Sequence, residues 1–170
     1  MNGPTLRILG LDVPDAGPLF LAVLAIHVVA GLVAVVSGAV AAASPKRVGR
    51  HPTSGRVYVR SLYVLFASAV VLAVIRWPHD NHLVALGAIA LAGAVIGVRA
   101  RRRRAHGWLV PHVVGMGTSY IAMLTAFYVD NGPQLPLWNR LPTAAFWLLP
   151  TIIGGPIIAF ALIRHRASDR

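Results

Sequence analysis

Five apolar stretches, each close to the length of a bilayer crossing, decide most of what this chain can fold into: residues 19–43, 57–77, 83–98, 108–129 and 144–163. A helix that crosses the hydrocarbon core needs about twenty mostly apolar residues. Lipid offers the backbone no hydrogen bonds, so such stretches must satisfy their own. The third is short, but Gly87, Gly93 and Gly97 suit it to close helix packing. Composition points the same way: 56% of residues are hydrophobic and 12% charged, with a mean hydropathy of +0.68. A soluble domain carries about a quarter charged residues. The expected fold is therefore all-α, a polytopic transmembrane bundle of five spans over residues 19–163. An outer segment (1–18) precedes it and a cytoplasmic tail (164–170) follows. Residues 1–18 lack the basic start and small-residue cleavage site of a signal peptide, so the first span is expected to be mature structure.

Charge gives these spans a direction. Lys46, Arg47, Arg50, Arg56 and Arg60 follow the first span. Arg99 and Arg101 to Arg104 follow the third, and Arg164, Arg166 and Arg170 follow the fifth. With Asp169, this side carries a net +12. Arg7, Arg76 and Arg140 with Asp12, Asp15, Asp80 and Asp130 leave the other at −1, which completes the +11 of the chain. The positive-inside rule then predicts the N-terminus outside and the C-terminus in the cytoplasm of a bacterial inner membrane. Trp77, Trp138 and Trp147 fall at the outer interface and Trp108 at the inner one, as an aromatic belt requires. The basic runs are juxtamembrane and have no aromatic or motif context. They therefore predict anionic lipid headgroups at the cytoplasmic face, not nucleic acid. Membrane protein partners or a homo-oligomer are the other expected partners. No internal repeat is visible, so an inverted-repeat transporter has no support.

Chemistry inside the membrane is limited by what is missing. There is no cysteine and no glutamate, and no acid or base is expected deep in any span. That argues against ion-coupled pumps and carboxylate-based enzymes. The remaining groups at depth are His27, His112 and tyrosines. His27 shares a helical face with Gly31, Ala34 and Gly38, so a partner helix can approach beside it. An ordinary partner for it would be Tyr120, Ser119 or a carbonyl of another helix. His112, Met116, Ser119 and Met123 form one stripe on the fourth span.

Axial histidine and methionine ligands of this kind suit b-type haem. His27 lies roughly 25 Å from the inner end of its span and His112 only about 6 Å beyond the inner boundary, so the two cannot share one iron. Two pairings survive: His27 with Met123, which returns to the same level, and His112 with His51 or His106 at the inner edge. His79 and His82 flank Asp80 in the short outer turn and are expected to be solvated. In the fifth span, Pro150, Thr151, Gly154, Gly155 and Pro156 predict a kink or break near mid-bilayer, since proline removes one intrahelical bond and clashes a turn back. The outer connection carries Pro133, Pro136 and Pro142 around Leu135, Leu137 and Trp138, and reads as a rigid loop seated at the interface.

From His27 to about Ile163 the chain resembles the bacterial membrane proteins of the domain of unknown function 2306 family. The resemblance rests on His27-Val-Val-Ala-Gly31, on the loop His51-Pro-Thr-Ser-Gly55-Arg56-Val-Tyr58, and on Ala105-His106-Gly-Trp108. Gly115-Met-Gly-Thr-Ser119-Tyr120 and Tyr128-Val-Asp130-Asn131-Gly132-Pro133 extend it. His51 is followed here by Pro52 where relatives carry arginine, and Trp108 by Leu109 where they carry methionine. The resemblance implies the multi-span architecture and no particular activity. Two readings of function follow from the residues. One is a non-catalytic accessory or small-ligand-binding subunit. The other is a redox protein that binds b-haem or quinone through the histidines named above. A small transporter or an unrecognised enzyme ranks below both.

Overall fold

The structure is a computed structural model that describes residues 5–8, 11–14, 17–45, 49–76 and 81–168. Among them are five helices long and apolar enough to cross a membrane. These are α1 (Pro18–Ala43), α2 (Arg50–Ile75), α3 (Asn81–Arg103), α4 (Leu109–Asn131) and α5 (Thr143–Ser168). Ahead of them, β1 (Thr5–Ile8) and β2 (Leu11–Pro14) form a small antiparallel hairpin that sets Arg7 opposite Asp12. The segment ahead of α1 thus has structure that hydropathy does not foretell. Lys46, Arg47, Trp77, His79, Asp80, Asp169 and Arg170 lie outside the described residues.

Local chemistry explains where the helices begin and end. Pro18 opens α1, where its missing N–H costs nothing and its fixed φ suits the first turn. Ser44 closes it: its N–H and its Oγ both donate to the Val40 carbonyl, at 3.0 and 2.6 Å. Pro45 then holds Ser44 in an extended conformation, which stops the helix. Two helices run past their apolar stretches. α2 starts at Arg50, so the segment from His51 to Arg56 is helix and not the expected loop. Pro52 sits in its first turn, where proline is tolerated. α3 extends through Arg99, Arg101, Arg102 and Arg103, because arginine is a good helix former once the chain leaves the apolar region.

The chain divides into two compact units, Met1–Val84 and Ala85–Arg170. In the first, α1 and α2 pack as an antiparallel hairpin. Ala34 is fully buried in their seam, Tyr58 and Leu62 nearly so, and Gly31 admits the Leu65 side chain.

In the second unit, α3 meets α4 backbone to backbone at Gly93 and Gly115. A Cβ on either glycine would stand 2.7 Å from the carbonyl oxygen of the other. Gly97 lies one turn on and is covered by the Met116 side chain. The α4–α5 contact is reciprocal. Ile121 of α4 occupies the notch at Gly154, and Ile158 of α5 occupies the notch at Gly117. Where α5 begins, the buried Phe146 ring lies against Gly132. Of the kink or break expected in α5, the break is not there: one continuous helix runs through Pro150 and Pro156. Gly154 is a packing notch, and Thr151 and Pro156 are exposed.

Gly93→Leu should therefore lower stability by about 1–3 kcal/mol, since the clash is with backbone that cannot move aside. Gly155, with open space where its Cβ would be, should accept alanine with a gain of up to about 1 kcal/mol. Thermal unfolding in detergent compares the two, and a Gly93→Leu variant as stable as the parent would contradict the packing described.

Candidate functional site

The polar atoms that α1 to α4 carry within the membrane-length region are few, and their geometry defines what the protein can bind. Short hydroxyl side chains are tied to their own helices. Ser37 Oγ donates to the Val33 carbonyl at 2.6 Å and Thr125 Oγ1 to the Ile121 carbonyl at 2.9 Å. This is the usual way a hydroxyl is satisfied without water. Among the described residues, no buried side-chain nitrogen or oxygen lacks a hydrogen-bond partner.

His27 is half-buried on α1, and its Nδ1 lies 3.0 Å from Ser68 Oγ on α2. Ser68 has one hydroxyl hydrogen, and the carbonyls of Val64 and Leu65 both lie 2.9 Å from its Oγ. The hydroxyl donates to that pair, so its lone pair accepts from His27 Nδ1–H. In a neutral imidazole this places the remaining lone pair on Nε2. The sequence offers Tyr120, Ser119 or a carbonyl of another helix as the partner; within the first unit the ring's Nδ1 meets Ser68 of α2. Ser68 was not foreseen, although a hairpin folded about residues 44–49 brings His27 opposite the stretch 64–68, where Ser68 is the only hydroxyl.

The same arrangement recurs twice. His51, in the first turn of α2, has Nδ1 2.8 Å from the carbonyl oxygen of Ala41 in the last turn of α1. A carbonyl only accepts, so Nδ1 donates. The bond ties down one of the orphan carbonyls that end every helix. His51 therefore closes the α1–α2 connection, beyond any interfacial position facing lipid phosphate. His112 Nδ1 donates to the Gly97 carbonyl of α3 at 2.9 Å, and the Trp108 ring lies 5.8 Å from its own. In both, Nε2 again carries the lone pair. Metal- and haem-binding histidines are fixed by this kind of Nδ1–H to oxygen bond.

Spacing separates these imidazoles. Within the first unit, Ala41 is fourteen residues beyond His27 on α1, so His27 and His51 stand roughly 21 Å apart along the hairpin and serve different sites. Within the second, His106 is exposed in the α3–α4 turn. That turn bends through positive φ at Arg104 and Gly107. The stripe His112, Met116, Ser119 and Met123 is the face of α4 that packs on α3. Met116 covers Gly97, Ser119 is fully buried against Gly93, and Met123 is buried one turn further along. Pro150 is buried, Gly155 faces open space, and neither belongs to a polar site. His27 and Met123 belong to different units, as do His51 and His112. Among the described residues, no three histidines or carboxylates gather as a metal-binding group.

The α4–α5 connection is packed by rings. It holds two 3-10 turns, Gly132–Gln134 and Trp138–Arg140, and the Trp138 ring that opens the second lies 4.7 Å from Tyr128. No family model, curated protein or solved structure matches the chain.

The His27–Ser68 bond should be measurable as a coupling. In a double-mutant cycle of His27→Leu and Ser68→Ala, unfolding in detergent should give a coupling of about 0.6 kcal/mol, the average for interhelical hydrogen bonds in a bilayer protein. A coupling indistinguishable from zero would show that the two side chains stabilise the hairpin independently.

Proposed function

We propose that the chain is a multi-pass protein of a bacterial inner membrane, N-terminus out and C-terminus in, related to the domain of unknown function 2306 family. It acts without catalysis, as an accessory subunit that binds a small ligand. The observation that supports this reading is the shared state of His27, His51 and His112. Each is held through Nδ1 by an oxygen, which in the neutral ring puts the lone pair on Nε2. Of the five acids in the chain, one, Asp130, lies in a described helix, as the next-to-last residue of α4. Histidine then serves as a neutral ligand or hydrogen-bond acceptor, with no carboxylate beside it to drive acid–base chemistry.

The tautomers also favour a second reading, a membrane redox protein that holds b-haem or a quinone at one of these histidines. Axial ligation uses the Nε2 lone pair of a ring whose Nδ1–H is already engaged.

The test is chemical analysis of the protein purified in mild detergent. A small molecule should copurify in stoichiometric amount and be lost from at least one of His27→Ala, His51→Ala and His112→Ala. Absorbance before and after dithionite then separates the readings, because a Soret band that shifts on reduction identifies haem. A preparation carrying no small molecule would overturn both.

Orientation is checked separately. The chain has no cysteine, so Pro136→Cys and Arg102→Cys are unique labels. In intact cells an impermeant maleimide should reach the first and not the second, and the reverse pattern would overturn the topology.

A further inference from the structure

The α1–α2 hairpin carries one feature that the histidine reading does not use. A groove of about 520 Å³ runs along one side of the hairpin, lined by Ile26, Val29 and Val33 of α1 and by Arg60, Ser61 and Val64 of α2. A second stretch of about 480 Å³ continues it past Val33 toward Val40, Thr53 and Ser54. From Ala25 to Val40 the two cover sixteen residues of α1, roughly 22 Å. Almost all of this surface is aliphatic.

Arg60 is the exception. It lies ten residues into α2, about 15 Å from the helix start, so it belongs to the body of the helix and not to the connection. The expectation that Arg60 belongs to the connection after the first span is corrected here, since α2 already begins at Arg50. Arg56 lies one turn nearer the connection and donates to Thr53 Oγ1 at 3.4 Å. Both guanidinium groups are exposed, and no described residue forms an ion pair with either. None could arise within the hairpin, because residues 17–76 contain no carboxylate.

We propose that this groove seats an anionic phospholipid. Its phosphate is held by Arg60 and Arg56, and one acyl chain lies along Ile26, Val29, Val33 and Val64. The chemistry fits in order along the groove. The guanidinium pair and the hydroxyls of Thr53 and Ser54 stand toward the 44–49 connection, where a headgroup of that leaflet lies. The aliphatic stretch runs from there toward His27, in the direction a chain takes into the bilayer. Guanidinium is the cation best shaped to bind phosphate through paired donors. A second copy of the chain is a poor occupant, because it brings a net charge of +11 against the same arginines. The leaflet assigned to the lipid rests on the topology proposed above; the groove and its arginines do not.

The test uses the full chain in detergent, with native mass spectrometry counting bound lipid. Phosphatidylglycerol should bind at least tenfold more tightly than phosphatidylcholine of the same chains. Equal binding of the two would overturn the proposal. The double variant R56Q/R60Q should lose that preference, whereas Arg103→Gln, at the end of α3, should keep it. Equal loss in both would reduce the effect to general positive charge and overturn the site.

Ala25 is exposed at the rim of the groove, so Ala25→Phe fills it without entering the helix seam and should weaken phosphatidylglycerol at least fivefold. Inorganic phosphate at millimolar concentration should displace little lipid. If phosphate displaces it fully and Ala25→Phe has no effect, the site takes free anions and the lipid assignment falls. Should R56Q/R60Q fail to fold, the comparison of the two lipids and Ala25→Phe still decide. Arg102→Cys labelled from outside would overturn the topology alone, leaving lipid binding in detergent as predicted.

Discussion

Helices in a bilayer gain nothing by hiding apolar side chains from lipid, because lipid is as apolar as they are. They associate where backbones come close enough for dense van der Waals contact, or where a polar atom finds a partner on the next helix. Both devices are present here, and each unit is organised around them. In Ala85–Arg170, Gly93 and Gly115 remove every atom that would keep α3 from α4. The isoleucine knobs at Gly117 and Gly154 lock α4 against α5. In Met1–Val84, Gly31 and Ala34 open the seam that His27 and Ser68 then bridge.

The histidines matter because they do two things at once. Through Nδ1 each one ties a neighbouring helix: His27 to α2, His51 to the end of α1, and His112 to α3. The same bond determines the tautomer and so leaves Nε2 as the nitrogen with the lone pair. The proposed ligand role of these residues rests on that nitrogen. This is the physical ground on which a ligand-binding role is preferred to catalysis in a chain whose membrane-length helices are nearly free of carboxylates.

The structure departs from the sequence reading where hydropathy measures the wrong quantity. Hydropathy reports which residues favour hydrocarbon, not how far a helix extends. Arg50 to Arg56 were therefore read as loop, although the backbone there is helical and His51 needs that helix to reach Ala41. Proline and paired glycines in α5 reported a local weakness in the helix. They could not report that Gly154 is matched to Ile121, an interaction that makes the glycine useful without any break. Methionine at Met116 and Met123 had the right spacing for a ligand stripe, but spacing holds equally for a packing face, and Met116 covers Gly97.

By itself, the sequence determined that there would be five membrane-length helices, roughly where they lie, and which few side chains could carry chemistry. Those properties are local: apolar length and residue type are set one segment at a time. Tertiary structure decided what each of those side chains meets. That depends on helix register and rotation, which are set by contacts between residues distant in sequence. His27 on Ser68 joins positions 41 residues apart and His112 on the Gly97 carbonyl 15 apart. Arg60 beside an aliphatic groove likewise exists only once α2 lies against α1.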